Sequence, residues 1–189
     1  MSFNITSNYA NNDRHDGYDP LPTGEYEMVI NHATERATKN GKESLQLDLV
    51  VRNDLDGASE ANKKYRNRHV FMDNWKRNLR NPETGAMEYT YAMDQLQLLL
   101  EAVGVPEGTQ INSVEDFCAQ FEHKPVQVYV KKETAEYNGE SREENTVAPW
   151  NVRQTKFPQL GHKFGKDDAQ SAPTQSAPVV DIDSSDLPF

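Results

Sequence analysis

The stretch from Asn62 to Arg80 sets seven basic residues (Lys63, Lys64, Arg66, Arg68, Lys76, Arg77 and Arg80) against one acid, Asp73, and interleaves Tyr65, Phe71 and Trp75. Its local charge is +6 in a chain whose formal net charge is −10. Cations that track phosphates, together with flat rings that stack on unpaired bases at about 1–3 kcal/mol per base, are what a single-stranded nucleic acid requires. Every base has a stacking face, so such binding is largely indifferent to sequence. The acidic total does not oppose it, because fields between exposed charges are screened beyond ~8 Å at physiological salt. Lys63, Lys64, Arg66, Arg68, Lys76 and Arg77 are the expected phosphate contacts, and Tyr65, Phe71 and Trp75 the stacking candidates. By strand alternation Val70 and Met72 share one face, and Phe71 and Trp75 the other. Either Val70 and Met72 point inward and the rings are free to stack, which is the preferred arrangement, or the reverse holds. Lys131, Lys132 and Arg153 are candidates to extend the track, against the simpler reading of solvated strand edges.

Catalysis leaves no comparable signature. Gly161-His162-Lys163-Phe164-Gly165-Lys166-Asp167 has three residues between its glycines where a phosphate loop needs four, and an Asp where a Ser or Thr must meet magnesium. His15, His32, His69, His123 and His162 are scattered, with no pair at metal-ligand spacing. The single Cys118 excludes an internal disulfide and a multi-cysteine zinc site. Beside Phe117 and Phe121 it reads as a buried structural thiol. The chain is therefore expected to be no enzyme and to need no cofactor or metal.

A second signal closes the sequence. From Lys166 to Pro188 there is no aromatic residue, and the segment from Lys166 onward carries a net charge of −4. Such a composition cannot bury enough apolar area to offset its ordering entropy, which predicts a disordered acidic tail. Yet the tail finishes on Leu187, Pro188 and Phe189 after Asp181, Asp183 and Asp186. Apolar groups placed where no core can receive them fit a pocket on another protein. Phe189 offers a ring and a terminal carboxylate together, and carboxylate capture is a recurring recognition mode.

The elements that must position these residues are mainly strands. Glu25–Ile30 alternates polar and apolar residues, Lys39-Asn40-Gly41-Lys42 supplies a turn, and Leu45, Leu47, Leu49 and Val51 alternate with polar neighbours. A polar loop over residues 54–62 leads to a third strand near Arg66–Asn74. Met93, Leu96, Leu99, Leu100 and Val103 then recur at helical spacing, ended by Gly104 and Pro106. Ser113 caps a short second helix with Val114, Phe117 and Phe121 on one face. Val126, Val128 and Val130 resume strand spacing, Asn138-Gly139 turns the chain, and Glu143–Val152 returns as a fifth strand. Three strands, a helical segment and two strands make the order of the OB-fold, a five-stranded Greek-key barrel whose face binds oligonucleotides or oligosaccharides.

Hydrophobic residues make up 35% of the 189-residue chain, below the ~45–50% of ordinary globular domains, as expected if only part of it folds. The expected division is a flexible arm over 1–17, an OB-fold domain over 18–160 and the acidic tail over 161–189. No window approaches the ~18 apolar residues of a membrane span, and Met1-Ser2-Phe3-Asn4 lacks the features of a signal peptide. With a lone thiol, this predicts residence in a reducing cytoplasm.

Two resemblances sharpen the expectation. Asp186-Leu187-Pro188-Phe189 resembles the C-terminal tip of bacterial single-stranded DNA-binding proteins, although Ser184 and Ser185 interrupt the acidic run. The body resembles a phage family long listed as a domain of unknown function in replication and recombination modules. The residues that carry this are Leu21-Pro22-Thr23-Gly24-Glu25-Tyr26, the Lys39-Asn40-Gly41 turn and the Leu-rich helix ending at Gly104. The resemblance implies an OB-fold protein that coats single-stranded DNA and recruits phage or host replication, recombination or repair enzymes through Phe189. Association between copies is compatible with it. The rival expectation is an OB-fold adaptor or loader that binds such proteins without coating DNA.

Overall fold

The structure, a computed structural model, describes residues 19–137 and 140–165. The expected arm over 1–17, the Asn138-Gly139 turn and the tip residues Asp181, Asp183, Asp186, Leu187, Pro188 and Phe189 lie outside the described residues. Three strands open the fold: β1 (Gly24–Ala37), β2 (Glu43–Val51) and, after the short helix α1 (Glu60–Tyr65), β3 (His69–Trp75). A hairpin of β4 (Arg77–Arg80) and β5 (Met87–Thr90) follows, then α2 (Met93–Ala102) and α3 (Val114–Ala119). The chain ends in β6 (Pro125–Tyr137), β7 (Glu140–Thr146), a 3-10 turn at Pro149–Asn151 and β8 (Val152–Gln154).

All ladders are antiparallel, in the order β3-β2-β1-β6-β7, with β8 on β6 and the β4–β5 hairpin separate. The long β1 serves two neighbours: Gly24–Val29 pairs with β6 and Met28–Ala37 with β2. This is the OB-fold strand order, with β6 and β7 as the fourth and fifth barrel strands. Between β3 and β7 a groove of about 640 Å³, lined by Arg68–Phe71 and Arg142–Asn145, replaces a ladder, so the barrel is left partly open.

Period-2 burial builds the core. Leu45, Leu47, Leu49 and Val51 of β2, Val70 and Met72 of β3, and Val126, Val128 and Val130 of β6 all face one interior with Met28 and Ile30. Leu99 of α2 and Phe117 of α3, with Phe121 just beyond it, close that interior. Ser113 caps α3 by accepting from the Asp116 N–H, and Gly104 ends the α2 region at φ 74°, a left-handed conformation that suits glycine.

The expected single return strand over Glu143–Val152 is two strands. Pro149 has no N–H to give a ladder, and the chain turns there, so β7 pairs with the far half of β6 and β8 with Val126–Val128. The expected loop over 54–62 contains the start of α1, whose cap Ser59 accepts from the Asn62 N–H. Asn62 is wholly buried: its amide donates to the Glu27 and Arg52 carbonyls, and its carbonyl accepts from the Glu27 N–H at 3.1 Å.

The described residues run past the boundary expected at residue 160. Residues 155–165 form a strap across the outer face of β1 and β2. The wholly buried Arg52 holds Asp54 through two bonds of 2.9 and 2.6 Å, and donates to the Phe157 and Gln159 carbonyls at 2.6 Å each. Burial acts to raise the Asp54 carboxyl, but the Arg52 guanidinium and the Gly161 N–H outweigh it and hold it below its ordinary value. Arg52→Leu leaves Asp54 with the Gly161 N–H but without its ion pair, and takes the guanidinium donor from two carbonyls, at an expected cost of about 3–5 kcal/mol. Urea unfolding followed by circular dichroism checks this; a midpoint equal to wild type would make the clasp dispensable.

Candidate nucleic-acid interface

On β3 the alternation resolves to Val70, Met72 and Asn74 inward, and His69, Phe71, Asp73 and Trp75 outward. Phe71 is 54% and Trp75 43% exposed, so both rings reach solvent. They stand four residues apart on one strand, about 13 Å at ~3.3 Å per residue. His69 continues the row, its ring centroid 6.5 Å from that of Phe71.

The register fixes their neighbours. Trp75 lies opposite Ser44, which lies opposite Arg36; Asp73 opposite Gln46 and Thr34; Phe71 opposite Asp48 and His32. The two acids of this face are engaged within the sheet. Asp73 accepts from Ser44 Oγ at 2.9 Å and from Gln46 Nε2 at 3.3 Å. Asp48 accepts from Asn31 Nδ2 at 2.9 Å and lies 2.8 Å from His69 Nδ1.

The expected cation track is not continuous, because the fold assigns its members to different elements. Lys63 and Lys64 are exposed on α1, with Lys64 Nζ 5.0 Å over the Tyr65 ring. Tyr65 packs edge-on against Tyr26 and the core, so it does not share the face of Phe71 and Trp75. Arg66 pairs with Asp56 at 2.8 Å, and Arg68 donates to the Asp19 carbonyl. Lys76 lies 2.8 Å from Glu35 and 2.6 Å from Glu43, with its ammonium 5.1 Å over the Tyr91 ring. It braces the end of β3 and is not available to a phosphate. Of the expected contacts, Arg77 alone follows Trp75 as an exposed cation, with Arg80 further along β4. On the later strands, Lys132 pairs with Glu143 at 2.6 Å, while Lys131 and Arg153 are exposed.

Other cations stand nearer the two rings. Arg36 shares the outer row of Trp75, two strands and so about 10 Å away. Its guanidinium donates to Gln46 Oε1 at 2.7 Å. Lys39 and Lys42 are exposed in the turn beyond that row. The turn itself is legible from Lys39-Asn40-Gly41-Lys42, but the facing of Arg36 is not. A bulge between Ile30 and His32 reverses the phase of β1. Residues of the same parity as the buried Met28 and Ile30 therefore emerge outward as His32, Thr34 and Arg36.

Below Trp75, a hydrogen bond from Lys76 holds the Glu35 carboxyl below the usual carboxylate range, against desolvation, with Tyr91 as a second donor at 2.8 Å. Glu35 and then Glu43 hold the Lys76 ammonium above its ordinary value, while burial and then Glu35 push the Tyr91 phenol well up. Burial pushes the Cys118 thiol up to about 11, which keeps it protonated at neutral pH.

An antiparallel barrel of this strand order, with exposed rings on its outer sheet face, defines an OB-fold protein. The chain belongs to the family described as "Protein of unknown function (DUF669)", whose profile matches residues 7–171. No curated protein sequence matches the chain. Among solved structures it is similar to one titled "Yeast RPA bound to ssDNA", at 9% identity over 85% of this chain and 87% of that one, with a TM-score of 0.30.

The Glu35–Lys76–Glu43 cluster carries a pH signature. A carboxyl held low in the folded state contributes stability above its unfolded pKa, about 4.3, and loses it as the pH falls through the folded value. An ammonium held high does the reverse: its share is present below about 10.4 and is lost as the pH rises through the folded value. Lys76→Met is expected to flatten the fall of the urea midpoint between pH 6 and pH 3 relative to wild type. Parallel curves for the two proteins would mean that Lys76 does not hold Glu35 low.

Proposed function

We propose that this protein binds single-stranded DNA without regard to sequence, coats and protects it during phage replication or recombination, and recruits partner enzymes through its C-terminal tip. It acts as a binding protein with no catalytic step, in the cytoplasm of the bacterial host. The observation that carries the reading is the pair Phe71 and Trp75, exposed on the outer face of β3 in an OB-fold strand order. Large rings on a surface strand lose favourable burial, and a polar sheet floor of Ser44, Gln46 and Asp48 offers them no apolar cover. Unpaired bases supply that cover, at about 1–3 kcal/mol for each ring. Arg36, Lys39, Lys42 and Arg77 around the Trp75 end supply the phosphate contacts. With most of the 62–80 cations committed elsewhere, stacking outweighs charge in this site.

Titration with oligo-dT in a Trp150→Phe background, which isolates Trp75, is expected to quench fluorescence on binding. The affinity falls with salt at a slope of about −0.7 per phosphate neutralised. Phe71→Ala and Trp75→Ala each weaken binding roughly 5- to 150-fold, the equivalent of one lost stack. Unchanged affinity in both variants would overturn the reading. Deleting residues 181–189 is expected to abolish co-precipitation of replication and recombination enzymes while the ring-dependent DNA affinity survives. Intact co-precipitation would remove the tip from that role.

One observation favours the rival adaptor or loader. An apolar groove of about 520 Å³ runs between Tyr89 and Tyr91, Met93 and Leu96 of α2, and Phe117, and Met87, Tyr89 and Met93 are exposed beside it. On that reading Met93→Asp and Tyr89→Ala disrupt a protein complex, and the wild-type protein shows no binding to oligo-dT.

A further inference from the structure

The outer face of the sheet is divided in two. In its upper rows, those of Trp75, Asp73 and Phe71, the side chains of Trp75, Phe71 and Arg36 are exposed. The next row down holds Val29 and Val50, which face outward opposite each other and are not part of the barrel core, yet are 0% and 3% exposed. The strap runs along this half of the face, and it is anchored residue by residue. Gly161 N donates to Asp54 Oδ2 at 2.7 Å, and His162 Nδ1 accepts from the Asn53 N–H at 3.1 Å. Lys163 exchanges two bonds with the Asn53 amide, its N–H donating at 2.9 Å and its carbonyl accepting at 2.9 Å. A side chain at Gly161 would meet Asp54 at 3.2 Å, so the approach is close as well as bonded.

This anchoring delivers Phe164 to a defined place. Its ring centroid lies 4.8 Å from that of His162, beside β2, and 4.3 Å from that of His123, whose N–H donates to the Ile30 carbonyl of β1. The ring is thus held between the Asn53 end of β2 and the His123–Ile30 contact of β1, the end of the sheet whose outward level is that of Val29 and Val50. That level is one outward step, about 6.6 Å, below the His32–Asp48–Phe71 row. Phe164 is half-buried, and the exposed Lys163 and Lys124 flank it. Glu122, next to His123 in the chain, is engaged by His32 Nδ1 at 2.8 Å and by the Ala33 N–H at 3.3 Å.

Resting on the single-strand reading above, we infer that the strap completes the nucleic-acid site, with Phe164 as its third stacking platform and Lys163 and Lys124 as phosphate contacts. The bound strand then runs from the β1–β2 turn past Trp75 and Phe71 and crosses diagonally onto the strap. Trp75 and the strap level are about 20 Å apart along the strand axis. A short oligonucleotide engages the two rings of β3 only, and a longer one reaches all three.

The test is oligo-dT affinity as a function of length for wild type, Phe164→Leu and Trp75→Ala. Leucine keeps an apolar side chain at this position but has no flat face. Phe164→Leu is expected to hold its urea midpoint, to bind short oligonucleotides as wild type does, and to lose roughly 5-fold or more on those long enough to reach the strap. Cross-linking of a bromodeoxyuridine oligonucleotide is expected to map to the peptide containing Phe164. If Phe164→Leu matches wild type at every length while Trp75→Ala weakens binding, the strap is a structural cover and this inference fails alone. If Trp75→Ala and Phe71→Ala are also silent, the single-strand reading itself fails.

Discussion

Burial of Val70 and Met72 opposite Leu49 and Leu47 dictates which rings of β3 reach solvent. Side chains alternate strictly along a strand, so a slip of one residue would carry the apolar set out and Phe71 and Trp75 in. Each large apolar side chain is worth about 1.5–3 kcal/mol when buried. The β3 register is held further by Ser44 and Gln46 on Asp73 and by His69 on Asp48. The two outward rings are thus a consequence of packing the inner face, and the spacing between them is set by the strand repeat.

Charge follows a different logic. A basic residue in this fold meets an acid wherever the chain brings one within reach, and the protein has 30 acids to 20 Lys and Arg. Arg52, Lys76, Lys132 and Arg66 are drawn into pairs that hold turns, strand ends and the strap. Of the exposed cations, Arg36, Lys39, Lys42 and Arg77 gather around the β1–β2 turn and the start of β4, at the end of the sheet where Trp75 stands, while Lys63 and Lys64 lie apart on α1 and Lys124 and Lys163 by the strap. The site combines an aromatic sheet surface with cations supplied from neighbouring turns.

The strap is held to the other end of the sheet. Val29 and Val50 are outward residues that are nevertheless buried, at the end of the sheet where residues 155–165 are anchored. The buried Arg52 makes the strap's anchoring specific, since its guanidinium donors match the Phe157 and Gln159 carbonyls. A buried polar group is tolerated only where its partners are met, which leaves the strap one path across the sheet.

The local pattern of the chain determined a good deal alone. Alternation over Leu45–Val51 and Val126–Val130, the helical spacing of Met93–Val103, the Ser113 cap and the Gly104 stop each rest on a few neighbouring residues, and each is present. The aromatic content of β3 was equally plain. The β4–β5 hairpin, the division of the return strand and the fate of Lys76 were not, because they depend on partners distant in the chain. The bulge at Asn31 inverts the facing of Arg36, Glu35 and Glu43 claim Lys76, and Asn53 and Arg52 claim the segment around Phe164. Periodicity is a property of neighbouring residues and can be read in order. Register, ion pairing and the route of a strap arise only when separated segments are packed against one another, so the tertiary structure alone decided which rings and cations share a surface.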